Sequence, residues 1–279
     1  MGISASARGI PTSTATARRR RPLGEHRVLL GAVGVLGLIA LAEILPRVGL
    51  VDPRFLPPFS QIVPALLERL QTPVFWQALA DTLLTWATGL SIALVAGIVL
   101  GIFIGSIAVL REATASTIEF LRPIPSVALI PLAVIMFGPG RESTVFLIIF
   151  SSFWMVIIQV LAGVQDVDPV ARDTARSYRF RLWTVGLQVV WPTTLPYAIT
   201  GFRLAATVAL LLTITGELII GSPGLGSLLS IAQQSGQVAG MYALAIVCSL
   251  LALLVNLGVR FLERRVLHWH PSVRLEQAL

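Results

Sequence analysis

The chain contains no lysine; all 21 of its basic residues are arginine. That absence excludes two chemistries within the polypeptide. A phosphate-gripping P-loop places a lysine on the nucleotide, and Schiff-base catalysis uses a lysine amine. Cysteine is nearly absent too. Cys248 stands alone in an apolar run, so neither a disulfide framework nor a cysteine-based metal site can form. Histidine is confined to the polar ends, at His26, His268 and His270. An intramembrane enzyme of the metal- or serine-dependent kind is therefore disfavoured: no His lies in an apolar stretch, there is no His-Glu-x-x-His, and a serine nucleophile would lack its base. The His268-Trp269-His270 run could chelate a metal but fits better as an interfacial tail anchored by Trp269. Charge is scarce as well. Only 13% of residues are charged, against about 25% in soluble domains.

Apolar residues fill the chain instead, at 55% of 279, with a mean hydropathy of +0.83. A bilayer core about 30 Å thick needs about 20 apolar helical residues. Six stretches qualify: residues 28–45, Thr82 to Leu110, Pro123 to Gly140, Ser143 to Gln165, Ala198 to Ile220, and Met241 to Val259. The expected fold class is an all-α polytopic membrane protein with six transmembrane helices. Between the last two spans, Gly221 to Gly240 is rich in Gly, Ser and Gln and reads as a loop or re-entrant segment.

Arginine placement orients these spans. With the N-terminus inside, the inner segments hold Arg8, Arg18 to Arg21, Arg27, Arg111, Arg122, Arg172, Arg176, Arg179, Arg181, Arg203, Arg260, Arg264, Arg265 and Arg274. The outer segments hold Arg47, Arg54, Arg69 and Arg141. Seventeen of 21 inside places both ends in the cytoplasm and supports an even number of spans. The expected organisation is a disordered Arg-rich tail (1–27), a first span (28–45), an extracytoplasmic segment (46–81), a core (82–265) and a cytoplasmic tail (266–279). Arg18 to Arg21, the following apolar run and Ala40-Leu41-Ala42 also fit a cleavable leader. Within the outer segment, Ser60 is placed to cap a helix from Gln61 to Leu70. Its face of Ile62, Ala65, Leu66 and Leu70 suits either the membrane interface or a loop helix.

The longest polar interruption on the inner side is Gln165 to Pro196. Asp168-Pro169 is a helix start, with Asp capping free N–H groups and Pro in the first turn. The helix should run from Val170 to Phe180. Arg172, Arg176 and Arg179 would share one face, and Ala171, Ala175 and Tyr178 another. A second short helix, Trp183 to Val190, should end at Pro192 and Pro196. Such a pair is either a solvated loop or a docking element for a cytoplasmic partner.

This loop resembles that of permease subunits of binding-protein-dependent ABC importers: Glu-Ala-Ala, three residues, Gly, nine residues, then Ile-x-Leu-Pro. Here Asp173-Thr174-Ala175 stands first, Arg179 occupies the Gly position, and Val189-Val190-Trp191-Pro192 follows in register. Ala175 and Pro192 match; Thr174, Arg179 and Trp191 depart. Gly permits a tight turn that Arg disfavours, so this loop is expected to turn, or to pair with its ATPase, differently. Further segments look like the sulfonate/taurine/nitrate-type branch: Leu121-Arg122-Pro123-Ile124-Pro125, Leu161-Ala162-Gly163-Val164, Gly201-Phe202-Arg203-Leu204-Ala205, Gly216-Glu217-Leu218 and Gly224-Leu225-Gly226.

The resemblance implies a methionine-importer-like (type I) permease fold and a pore built by two copies. It implies no cofactor on this chain, with ATP and Mg held by two partner ATPase subunits, and an extracytoplasmic binding protein delivering solute. The coupling residues would be Asp173, Thr174, Ala175, Arg176, Arg179, Val189 and Pro192. An aliphatic sulfonate or taurine is the first substrate candidate; nitrate, bicarbonate or a thiamine-precursor pyrimidine follow. A standalone channel or secondary carrier is the alternative of another class. Ser151, Trp154, Arg203 and Glu217 are candidate pathway or gate residues, although Glu217 can equally bond a neighbouring helix and Arg203 can snorkel. Gly97, Gly101 and Gly105, spaced by four, form a face for helix packing.

Overall fold

The helices follow the apolar runs. A computed structural model describes residues 24–268; the tail through residue 23 and Trp269-His270 lie outside them. Helix α1 (Gly24–Arg47) is apolar around its circumference and touches little but α2 (Phe59–Leu70). Only 6% of its span is buried within the chain, as suits a helix solvated by lipid. Its end is tied to α2 by charge. Glu43 accepts the Ser60 amide at 2.9 Å, and Arg47 donates to the Ser60 hydroxyl at 3.1 Å. Ser60 is thus not the expected cap; α2 begins two residues earlier, at Phe59, after Pro58. The anticipated face of α2 is real, with Ile62 buried, and it packs on α11 (Val238–Val266).

The centre is α6 (Arg141–Gln165), clamped between α3 (Pro73–Ser106) and α9 (Trp191–Ile220). Small residues let these backbones close in. A Cβ on Gly97, Gly101 or Gly105 of α3 would stand 2.7–2.9 Å from Val156, Val160 or Val164 of α6. On α9, buried Ala205, Ala206 and Ala209 join the same core. Trp86 donates to the Ala206 carbonyl at 3.0 Å, tying α3 to α9. Helix α3 has 34 residues, about 51 Å of rise, and starts nine residues before Thr82. Charge at Asp81 concealed that extension; the structure neutralises it by pairing Asp81 with Arg141 of α6.

Pro123 to Gly140 is not one straight span. Helix α4 (Ala108–Leu121), a 3₁₀ turn (Ser126–Leu129) and α5 (Ile130–Phe137) form a pair bent by 83°. Pro123 and Pro125 explain the break, since residues before proline avoid the helical region and proline lacks an N–H. Counted as one broken span, the pair adds to five continuous helices to give six crossings.

The Trp183 to Val190 helix also departs from expectation. It does not end at Pro192 but runs into α9 through α8 (Leu182–Val185) and a π-helical turn (Gly186–Val190). The wider turn shifts pairing by one residue, as in Trp191 N–H to Gly186 O, and Pro192 then sits in the first turn of α9, where its missing N–H is harmless. After α9, α10 (Leu225–Gln234) is a ten-residue helix, about 15 Å long. It is too short to cross, and it packs against α9 and α11 as a re-entrant segment.

Candidate functional site

The polar loop after α6 forms a short helical platform. Helix α7 (Pro169–Ser177) starts as expected, with the Asp168 carboxylate accepting the Val170 amide at 2.8 Å. It ends in a Schellman motif. Phe180 N–H bonds Ala175 O at 3.0 Å and Arg179 N–H bonds Arg176 O at 2.9 Å. Arg179 occupies the left-handed position at φ 53°, alone among non-glycine described residues. The expectation of a different turn is therefore overturned: the glycine-type turn is kept, with arginine bearing its strain. The 6→1 and 5→2 bonds and the neighbouring Tyr178 and Phe180 rings, 6.1 Å apart, hold it.

The three arginines do not form one cationic face. Arg172 turns back and donates to the Val164 carbonyl at 2.5 Å, fastening α7 to the end of α6. Arg176 projects outward, 4.0 Å from Asp173, and Arg179 follows the helix. Ala175 is buried and Val189 packs on the core, so both shape the loop from within. Asp173, Thr174 and Arg176 face water, and Pro192 is exposed where α9 begins. On the other side Tyr197 donates to Asp166 at 2.8 Å, and its ring fills the space a Cβ on Gly163 would need. An open cleft of about 510 Å³ beside it is lined by Asp166, Thr193, Tyr197 and Thr200.

Sequence reasoning missed the platform's apolar surface. Val170, Tyr178 and Trp183 are exposed by 69%, 73% and 78%. In a polar loop between two spans, apolar and aromatic side chains interleaved with arginine have the composition of a protein interface. The signal was present as aromatics within an otherwise polar loop.

The four pathway candidates do not meet. Ser151 and Trp154 lie on α6, where Trp154 stacks edge-on against Phe150 and Phe153. Arg203 pairs with Glu263 of α11 at 3.5 Å near the platform. Glu217 is at the far end of α9, fully buried. Its Oε2 accepts from Thr82 Oγ1 and Gly226 N, each at 2.9 Å, and Thr82 accepts the Leu225 amide at 2.9 Å. The first two amides of α10 are thus capped in trans by side chains of α9 and α3. Gly224, at φ 155°, leaves no room for a side chain beside the carboxylate. Thr144 and Ser222 share a bond at 2.9 Å nearby. The geometry assigns Glu217 to holding the re-entrant helix. Among described residues no cluster of His, Cys, Asp or Glu could hold a metal.

The chain is similar to known proteins in sequence and in fold. Residues 97–268 match the family of binding-protein-dependent transport system inner membrane components. The taurine transport system permease protein TauC of Escherichia coli (strain K12) is 32% identical over 91% of this chain and 94% of its own length. The nitrate import permease protein NrtB of Leptolyngbya laminosa is 31% identical over 69% of each. The fold matches a chain of the MetNI methionine ABC transporter in an inward-facing conformation, with TM-score 0.53, 17% identity, and coverage of 75% and 98%. Helical spans, the platform between α6 and α9, and these matches together place the chain in the binding-protein-dependent ABC importer permease family, as a multi-pass inner membrane component.

Proposed function

We propose that this permease passes a small solute bearing a sulfonate group, an aliphatic sulfonate or taurine, from an extracytoplasmic binding protein to the cytoplasm. The observation carrying the substrate is the match to a taurine permease along almost the full length of both chains. A nitrate or bicarbonate substrate is the second reading, favoured by relatives of comparable identity. Two copies form the pore, with both termini cytoplasmic, as the arginine distribution supports.

The α7 platform is the coupling element. ATP and Mg belong to partner ATPase subunits; this chain has no lysine with which to build a P-loop. The exposed Asp173, Thr174 and Arg176, with Tyr178 and Trp183, meet the ATPase, while Arg172, Ala175, Arg179, Val189 and Pro192 set the platform's shape. Arg172 bonds α7 to α6, and Tyr197 of α9 bonds Asp166 at the end of α6, so α7 is carried by the α6–α9 pair. Closure of the ATPases is thereby transmitted to α6 and α9. Ser151 and Trp154 remain the pathway candidates.

Uptake of labelled taurine and of labelled nitrate, measured in a strain lacking the gene, separates the two readings. Loss of taurine uptake with nitrate uptake intact supports the first. Loss of nitrate uptake alone overturns it.

A further inference from the structure

We propose that the cleft between α4 and α6 at the platform end is a binding site for an anionic phospholipid. Helix α4 has no buried residue, and its face toward α6 is unlike its outer face. Outward, Val109 and Phe120 are exposed by 78% and 75%. Toward α6, Arg111 and Arg122 line a cleft of about 410 Å³ together with Ile118, Glu119, Ile158 and Leu161. Arg111 and Arg122 are eleven residues apart, three helical turns, so they fall on one face about 16 Å apart along the axis.

Three observations point to a lipid. First, the cleft lies beside the last turns of α6, at the platform end of the bundle. Second, among described residues neither arginine is in an ion pair. Two guanidinium groups against one carboxylate leave the lining net positive, which favours an anion over a zwitterion. Third, apart from Gln165 at one end, the remaining wall is apolar, formed by Ala115, Ile118, Ile158, Leu161 and Ala162, the surface an acyl chain needs. The arginines take the phosphates, and Ile118, Ile158 and Leu161 take the chains. A soluble oxyanion would leave that apolar wall unused. The site goes beyond the transport reading and stands whether or not the substrate assignment holds.

Native mass spectrometry of the solubilised full chain with its ATPase partner, titrated with phosphatidylglycerol, tests it. The wild type should retain phosphatidylglycerol in preference to phosphatidylcholine. The double variant R111Q/R122Q should weaken retention by about 30-fold, from roughly one surface-charge interaction lost per arginine. E119Q, which removes the opposing charge, should strengthen it by about fivefold. Since E119Q gains binding, a folding defect cannot account for both results. Equal retention of phosphatidylcholine, or unchanged retention in the double variant, overturns the proposal. Displacement of the lipid by excess inorganic phosphate or taurine overturns it too, since the site would then take a soluble oxyanion. Binding is read without uptake, so failure here and failure of the transport assignment are distinguishable.

Discussion

Arg179 sits where an L-residue is strained, at φ 53°. Replacing it with glycine should tighten the platform. The left-handed conformation costs a non-glycine residue about 1–2 kcal/mol. Glycine's greater freedom when the turn opens returns about 0.5–1 kcal/mol of that gain. The arginine side chain takes part in no side-chain bond among the described residues, so R179G should stabilise the closed turn by about 0.5–1 kcal/mol. That is a two- to fivefold smaller opening equilibrium. The reporters are the amides of Arg179 and Phe180, which close the Schellman motif. Hydrogen exchange at positions 179 and 180, in the assembled importer, should slow by about two- to fivefold in R179G. R179N should be nearly neutral, because Asn tolerates this region, and R179V should exchange faster than wild type. Unchanged or faster exchange in R179G, or full protection in R179V, would refute the strain argument.

Further outcomes follow from the packing and the caps. G101L should push α3 off Val160 of α6 and cost about 1–3 kcal/mol, read as a lower melting temperature in detergent; adding V160A should restore part of it. T82V should deprive both Glu217 and the Leu225 amide of a partner, at about 1–3 kcal/mol. Exchange at Leu225 and Gly226 should rise, while T82S behaves as wild type. R203Q should cost no more than about 1 kcal/mol, given the part-exposed pair with Glu263, and a double-mutant cycle with E263Q should recover that coupling. W183A should leave melting unchanged yet lower the stimulation of ATPase activity by loaded binding protein.

Much of the fold was legible because bilayer thickness imposes a length on apolar runs. It was least legible where local chemistry overrode that length. Asp81 read as a boundary because its partner, Arg141, is sixty residues away. Charges at Arg111, Glu112, Glu119 and Arg122 hid α4 from the count, so the expected span at Pro123 to Gly140 took in only the second half of the bent pair. Pro192, by contrast, read as a stop, and a π-helical turn absorbed it. At the platform, Asp168 and Pro169 marked the start of α7 correctly because capping is local. The role of Glu217 was not local: its bonds reach Thr82 and Gly226, and only the tertiary fold brings those to it. The face periodicity of Arg172, Arg176 and Arg179 failed because α7 ends at Ser177 and Arg172 is drawn back to α6.

The central claim is that the water-facing side of α7 carries the ATPase coupling. Ala175 is unsuitable for the test, because it is buried and a larger residue there would distort the loop. Asp173 and Thr174 are exposed, so D173W/T174W alters the docking surface alone. The measurement is ATP-driven uptake of labelled substrate by proteoliposomes holding all subunits, with wild-type or D173W/T174W permease of equal melting temperature. The account predicts that the variant loses uptake and no longer retains the ATPase on purification. Uptake at the wild-type rate with the ATPase still bound would contradict it.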